Sequence, residues 1–240
     1  MTNAKHRPLE FYADPLPNVD LTELQGKLLV IEGPDSVGRS TQVELLRNWL
    51  EANGYAVVDT GMMRSTLTKD GLEAAKSGHT LGPLTMGLFY MTDFADRLER
   101  VMVPALRAGF VVLTDRYFYS IVARAAARRQ DSEWLERVAG CALVPHATFY
   151  LRARVSEVVA RTARGRKYFE YWESGMDVPY GPNRYQSFLL YQSRLIEILD
   201  SLAERYGFTV IDANRPPDQI FADLRERIGR LLEIDPLESS

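Results

Sequence analysis

Residues 28–42, Leu28-Leu29-Val30-Ile31-Glu32-Gly33-Pro34-Asp35-Ser36-Val37-Gly38-Arg39-Ser40-Thr41-Gln42, decide how this chain folds. The aliphatic run Leu28–Ile31 suits a strand buried on both faces, and Thr41, Val43, Leu45, Leu46, Trp49 and Leu50 mark the apolar spacing of a following helix. Between them, Gly33, four residues and then Gly38-Arg39-Ser40 match the phosphate-loop pattern G-x-x-x-x-G-K-[ST], with arginine at the lysine position. In such a loop the glycines let successive backbone N–H groups turn inward around a phosphate, and the helix adds its positive dipole end. Ser40 then stands where a hydroxyl holds magnesium. Taken alone, the segment also fits an ordinary strand–turn–helix, so other segments must carry the reading.

The chain has 240 residues, 46% hydrophobic and 25% charged, which is enough for one sizeable core. A net charge of −3 supplies no general basic field, which argues against a nucleic acid polymer or an anionic membrane surface as partner. The single cysteine, Cys141, excludes an internal disulfide, reads as a small buried hydrophobe and points to the reducing cytoplasm. His6, His79 and His146 are too scattered to build a metal site with it. No apolar segment follows Lys5, His6 and Arg7, and no apolar stretch approaches about 18 residues, so neither secretion nor membrane crossing is indicated.

Residues 1–26, with Pro8, Pro15 and Pro17, show no period and read as an irregular extension, packed or loose. Beyond it, apolar runs near 27–32, 56–60, 110–114, 147–151 and 208–212 alternate with helical patterns at about 39–53, 69–77, 81–108, 117–139, 154–164, 185–206 and 217–233. This alternation predicts one α/β domain over 27–235, a parallel sheet of five strands with helices on both faces. The segment 168–190 is aromatic and turn-rich and suits a mobile or substrate-covering region.

Further segments gather at the C-terminal edge of that sheet, where open α/β folds bind ligands. Asp115-Arg116-Tyr117 directly follows a strand; its carboxylate suits magnesium waters or an acceptor, and its guanidinium suits phosphates. Arg64 in Arg64-Ser65-Thr66 is placed for a bidentate phosphate grip. Arg161, Arg164, Arg166 and Lys167 crowd four cations into seven residues, which fits charge neutralisation over a transferring phosphoryl group or a solvated helix end. Ile211-Asp-Ala-Asn214-Arg215-Pro-Pro fits the lining of an adenine site and, equally well, a plain strand-to-helix turn.

In this order the pieces resemble the thymidylate kinase family of nucleoside monophosphate kinases, over roughly residues 27–230. Ile31–Asp35 with Gly38–Gln42 looks like its phosphate loop, Asp35 taking the place of its acidic residue. Arg64-Ser65-Thr66 looks like its acceptor-phosphate loop, Leu88–Asp93 through Pro104-Ala-Leu its base-binding helix, and Asp115-Arg116-Tyr117 with Ser120 its Asp-Arg-Tyr motif. Residues 161–167 resemble its arginine-bearing lid and 211–217 its adenine loop, making 154–190 a lid with an aromatic insertion. The departures are Arg39 for lysine, Phe94 for the arginine that reads the base, Ile121 and Arg124 for asparagine and tyrosine, and Ser36 for a loop arginine.

The resemblance implies a three-layer α/β/α P-loop kinase that uses ATP and magnesium to phosphorylate a nucleoside monophosphate, dTMP-like but with an altered base pocket. The alternatives are a kinase of a non-nucleotide acceptor, or a nucleotide-binding regulatory protein weakened by Arg39. It further implies that Gly33, Pro34, Ser36, Val37, Gly38, Arg39, Ser40 and Thr41 hold the donor phosphates, with Asn214 and Arg215 at the adenine. Ser40 and Asp115 hold the metal; Asp35, Arg64, Tyr90, Phe94, Arg116, Ser120 and Arg124 take the acceptor. Arg39, Asp35, Arg116, Arg161, Arg164 and Arg166 act at the transferring group. Relatives are usually homodimers, so the resemblance also implies a homodimer.

Overall fold

Alternate side chains of β1 (Lys27–Glu32) enter different cores, Leu28 and Val30 one side of the sheet, Leu29 and Ile31 the other, which is why the run is apolar throughout. The computed structural model describes residues 9–166 and 168–234. Lys167 of the predicted cation cluster, the charges Lys5, His6 and Arg7 with Pro8, and the expected domain end at 235 lie outside the described residues.

β1 is central in a five-stranded parallel sheet of order β2-β3-β1-β4-β5, with β2 Val57–Gly61, β3 Val111–Asp115, β4 Ala147–Arg152 and β5 Thr209–Asp212. The register pairs Ile31 with Asp115 and Asp115 with Gly61, so the strand ends carrying the motifs lie level along one edge. One face is covered by α1 (Arg39–Ala52), α7 (Val155–Gly165) and α9 (Pro217–Leu232). The other is covered by α3 (Pro83–Arg97), α4 (Val103–Arg107), α5 (Phe118–Ala127) and α6 (Glu133–Val138), while α8 (Arg184–Tyr206) sends side chains into both cores. Short α2 (Lys69–Gly78) packs beside α3.

Two long predicted helices are interrupted. Within 81–108, a widened turn at Leu98–Met102 joins α3 to α4. Within 117–139 the chain breaks after α5: Arg129 adopts φ 59°, Gln130 N–H returns to the Ala125 carbonyl, and Asp131 Oδ1 accepts from Glu133 N–H to start α6. Apolar spacing runs through this break because Leu135 of α6 joins the same core as α5, so periodicity alone conceals it. Cys141 is half-buried.

The extension is packed over its described part. Phe11 pairs with Leu143, Tyr12 N–H donates to Ala142 O at 3.0 Å, and the Tyr12 ring meets Phe118 edge-on at 5.3 Å. Segment 168–182 is folded against α2, α5 and α8, and α8 starts at Arg184, its amide end capped by Asn183 Oδ1 accepting from Gln186 N–H.

One buried pair sets the loop after β2. Asp93 of α3 is fully buried; its carboxylate accepts Met63 N–H and Ser65 N–H at 3.0 Å each and pairs with Arg97 Nε at 3.0 Å. Removing one partner strands the other charge in the core. Asp93→Ala is expected to cost about 3–5 kcal/mol in urea unfolding; a loss below about 1 kcal/mol would mean that the 62–68 loop is held by other contacts.

Candidate active site

The turn from β1 to α1 needs its glycines. Gly33 has φ 156°, and a Cβ there would stand 2.9 Å from both Leu151 O and Val37 Cγ1; Gly38 has φ 100°. Ser36 also takes a left-handed conformation, φ 55°, which puts a strained non-glycine residue in the loop. The amino end of α1 opens at this loop, with Ser40 and Thr41 exposed in its first turn.

Arg39 folds back rather than outward. Its Nε donates to Asp115 Oδ1 at 2.7 Å and its Nη1 to the carbonyls of Gly33, at 2.8 Å, and Pro34. Ser40 Oγ lies 3.4 Å from the other oxygen, Asp115 Oδ2. A hydroxyl and a carboxylate oxygen so close are hard donors that fit magnesium, which commonly takes one or two protein oxygens together with substrate phosphates. No cluster of three or more His, Cys, Asp or Glu able to hold a metal occurs among the described residues.

Asp35 is the hub of the acceptor side. Its Oδ1 accepts from Arg116 Nη2 at 2.6 Å and Arg124 Nη2 at 2.7 Å, and its Oδ2 from Gln192 Nε2 at 3.0 Å. Burial pushes its carboxyl up, but Arg124, Arg116 and Arg39 outweigh this and hold it well below the usual range. Arg116 is lowered to about 10, by burial first and then by the neighbouring Arg39 and Arg124, against the pull of Asp35 and Asp115. Arg116 has φ 72°, fixed by its N–H on Ile31 O at 3.0 Å and by Thr114 Oγ1 on its carbonyl at 2.7 Å.

From Asp35 and Arg116 a cavity of about 370 Å³ runs between α3 and α5. Ile121, Arg124 and Ala125 of α5, with Arg128 at its C-terminal cap, form one wall at helical spacing, Met86, Gly87 and Tyr90 of α3 the other, and Trp172, Glu173, Asp177 and Val178 cover it. Burial, followed by the nearby Asp35, raises the Glu173 carboxyl, whose side chain holds Arg166 Nη1 at 2.7 Å.

Tyr90 and Arg124 line the cavity with Asp35 and Arg116 as the sequence suggests, but Phe94 and Ser120 are placed elsewhere. Phe94 points into the core, edge-on to Tyr117 at 4.9 Å, because the residues facing the sheet run Met91 and Phe94 of α3 and then Leu98 of the turn after it. Ser120 Oγ donates at 2.7 Å to Glu32, a fully buried carboxylate that also accepts Tyr117 N–H at 2.8 Å. Arg64 is half-exposed on Asp59 at 3.0 Å. Arg161 bridges Val37 O at 2.9 Å and Ala213 O at 2.8 Å, joining the phosphate loop to the 213–215 loop. In that loop Asn214 Oδ1 accepts Arg154 N–H at 2.9 Å and Arg215 pairs with Asp223. Arg164 is exposed.

Glu32, Gln192 and Arg128 went unread. A charge ending an otherwise apolar strand was the signal for Glu32, and helical spacing from Ile121 and Arg124 was the signal for Arg128. Nothing local links Gln192 to Asp35, 157 positions away.

A parallel sheet in this order, with a phosphate loop leaving the central strand and a carboxylate–arginine pair on its neighbour, defines a P-loop phosphotransferase. A family model described as thymidylate kinase matches residues 31–224. The probable thymidylate kinase 2 of Saccharolobus solfataricus is 35% identical over 211 residues, 88% of this chain and 99% of that one. The probable thymidylate kinase of Thermococcus kodakarensis is 36% identical over 148 residues, 58% of this chain and 72% of its own. The thymidylate kinase of Clavibacter michiganensis subsp. michiganensis is 33% identical over 216 residues, 87% and 97% respectively. The chain belongs to the thymidylate kinase family, and is an enzyme of the nucleoside monophosphate kinase type. No helix among the described residues is long and apolar enough to cross a membrane.

Asp35 titrates below its unfolded value of about 3.9, so the stability it lends is complete above that value and is lost as pH falls through the folded one. Wild type and Asp35→Asn should differ by about 3 kcal/mol in unfolding free energy at neutral pH and converge in acid. A gap that persists unchanged into acid would mean that the ion pairs do not carry it.

Proposed function

We propose that this protein transfers the γ-phosphoryl group of ATP, with magnesium, to the phosphate of a nucleoside monophosphate seated between α3 and α5. The observation that carries this reading is the placement of Arg116 and Arg124 together on Asp35, at the junction of the phosphate loop and the acceptor cavity. Arg39, Arg116 and Arg124 converge there on the carboxylates Asp35 and Asp115, so an entering phosphate meets guanidinium groups already gathered at the junction.

An oxygen of the acceptor phosphate forms a bond to the γ-phosphorus as the bond to the β,γ-bridging oxygen breaks, ADP leaving with the electron pair. The attacking oxygen is already anionic, so no base is needed and positioning with charge stabilisation supplies the rate. Backbone amides of 33–40 cradle the donor phosphates, and Arg39 keeps a positive charge beneath them. Ser40 and Asp115 would hold magnesium, which when bound neutralises charge on the donor phosphates.

Arg116 and Arg124 grip the acceptor phosphate, Arg64 approaches from the loop after β2, and Tyr90 faces the base. Arg161 ties the donor loop to Asn214 and Arg215 at the adenine side, while Arg164 and Arg166 close over the transferring group. With Phe94 in the core, the base meets Tyr90, Ile121 and Leu135, contacts that suit the face of a planar base and the methyl group of thymine. Exposed Leu84 and Leu88 on α3 support the homodimer. One observation favours a binder with weak turnover instead: the Arg39 guanidinium is engaged by loop carbonyls and Asp115.

ATP consumption with magnesium, measured against the common ribo- and deoxyribonucleoside monophosphates, tests this. Turnover on one of them is expected, dTMP foremost, with Arg116→Ala lowering kcat/KM by about 10²–10³ and Arg39→Lys remaining active. Saturable ATP binding without turnover in wild type or Arg39→Lys would favour the binder.

A further inference from the structure

Arg128, the cap residue that follows α5, ends this cavity wall, yet its guanidinium offers the cavity nothing to bind. Nε donates to Asp177 Oδ2 at 2.7 Å; Nη2 donates to Asp177 Oδ1 at 3.3 Å and Trp172 O at 2.9 Å; Nη1 donates to Arg124 O at 3.3 Å and to the Tyr191 hydroxyl. Its Cζ also stands 5.0 Å from the Tyr191 ring and 5.9 Å from that of Trp172. Every nitrogen of a largely buried fork is thus used, and the contacts to Trp172 and Asp177 fall on two residues that cover the acceptor cavity.

The same covering segment is held at its other margins by Trp172 Nε1 on Lys76 O at 3.0 Å and Gln192 Nε2 on Glu173 O at 2.8 Å. Gln192 uses that amide nitrogen for Asp35 as well, so the cover and the phosphate-gripping hub share a tether. We infer that Arg128 is a positioning residue of the acceptor site: it fixes residues 168–182 as the outer wall of the cavity and thereby sets affinity for the acceptor and not for ATP. This rests on the kinase reading above only for the identity of the acceptor.

The test compares wild type, Arg128→Ala, Arg128→Lys and Asp177→Asn in KM for the acceptor monophosphate, KM for ATP, and chymotryptic cleavage at Tyr168, Tyr171 and Trp172. Arg128→Ala is expected to raise the acceptor KM about 10- to 100-fold, move the ATP KM by less than about twofold, and speed cleavage. Arg128→Lys and Asp177→Asn are expected to show smaller shifts in the same direction, and they supply the result if Arg128→Ala does not fold. An unchanged acceptor KM, or both KM values rising together, overturns the assignment. If wild type turns over no monophosphate, the kinase reading fails separately and cleavage alone judges Arg128: unchanged cleavage overturns the wall, faster cleavage upholds it.

Discussion

Charge balance at the carboxyl edge of the sheet is the constraint on which the site depends. Arg39, Arg116 and Arg124 converge there, and so many cations stay together only because Asp35 and Asp115 lie between them at hydrogen-bond distance. The arrangement is shared among elements far apart in sequence: Asp35 from the phosphate loop, Arg39 from α1, Asp115 from the end of β3, Arg116 from the turn after it and Arg124 from α5. Each ion pair is therefore also a tether between elements, so the site and the fold are stabilised by the same contacts.

A second buried carboxylate does structural work beside it. Glu32 closes β1 and accepts from Tyr117 N–H and Ser120 Oγ, docking the amino end of α5 onto the central strand. Burial raises its carboxyl despite those bonds and the nearby Arg116, the signature of a group kept for its hydrogen bonds more than its charge. With α5 so anchored, Ile121, Arg124 and Arg128 project along the cavity at fixed depths, linking a strand-end glutamate to the shape of the acceptor wall.

Much of the architecture was legible because it follows from periodicity. The aliphatic runs gave five strand positions within about two residues, and the alternation with helices gave the parallel sheet. The Gly33–Ser40 loop and Asp115-Arg116 were legible because backbone cradling of phosphate demands glycine at fixed spacing and charge at a strand end. The break between α5 and α6 at Arg129 was hidden, since a left-handed residue inside a continuing apolar pattern leaves no compositional trace. Phe94 was misplaced for a related reason: an aromatic residue on a two-faced helix suits a base or a core, and a rotation of one residue decides between them.

By itself the sequence determined which residues carry charge, which are apolar and at what spacing, and that suffices for the sheet, the phosphate loop and the class of chemistry. Only the tertiary structure decided the partners. Arg39 turns to the carbonyls of its own loop, Arg166 to Glu173, Gln192 to Asp35 and Arg128 to Asp177, pairings set by three-dimensional proximity across 6, 7, 157 and 49 positions. A guanidinium takes whichever acceptors burial leaves nearest, and that choice belongs to packing, not to spacing along the chain.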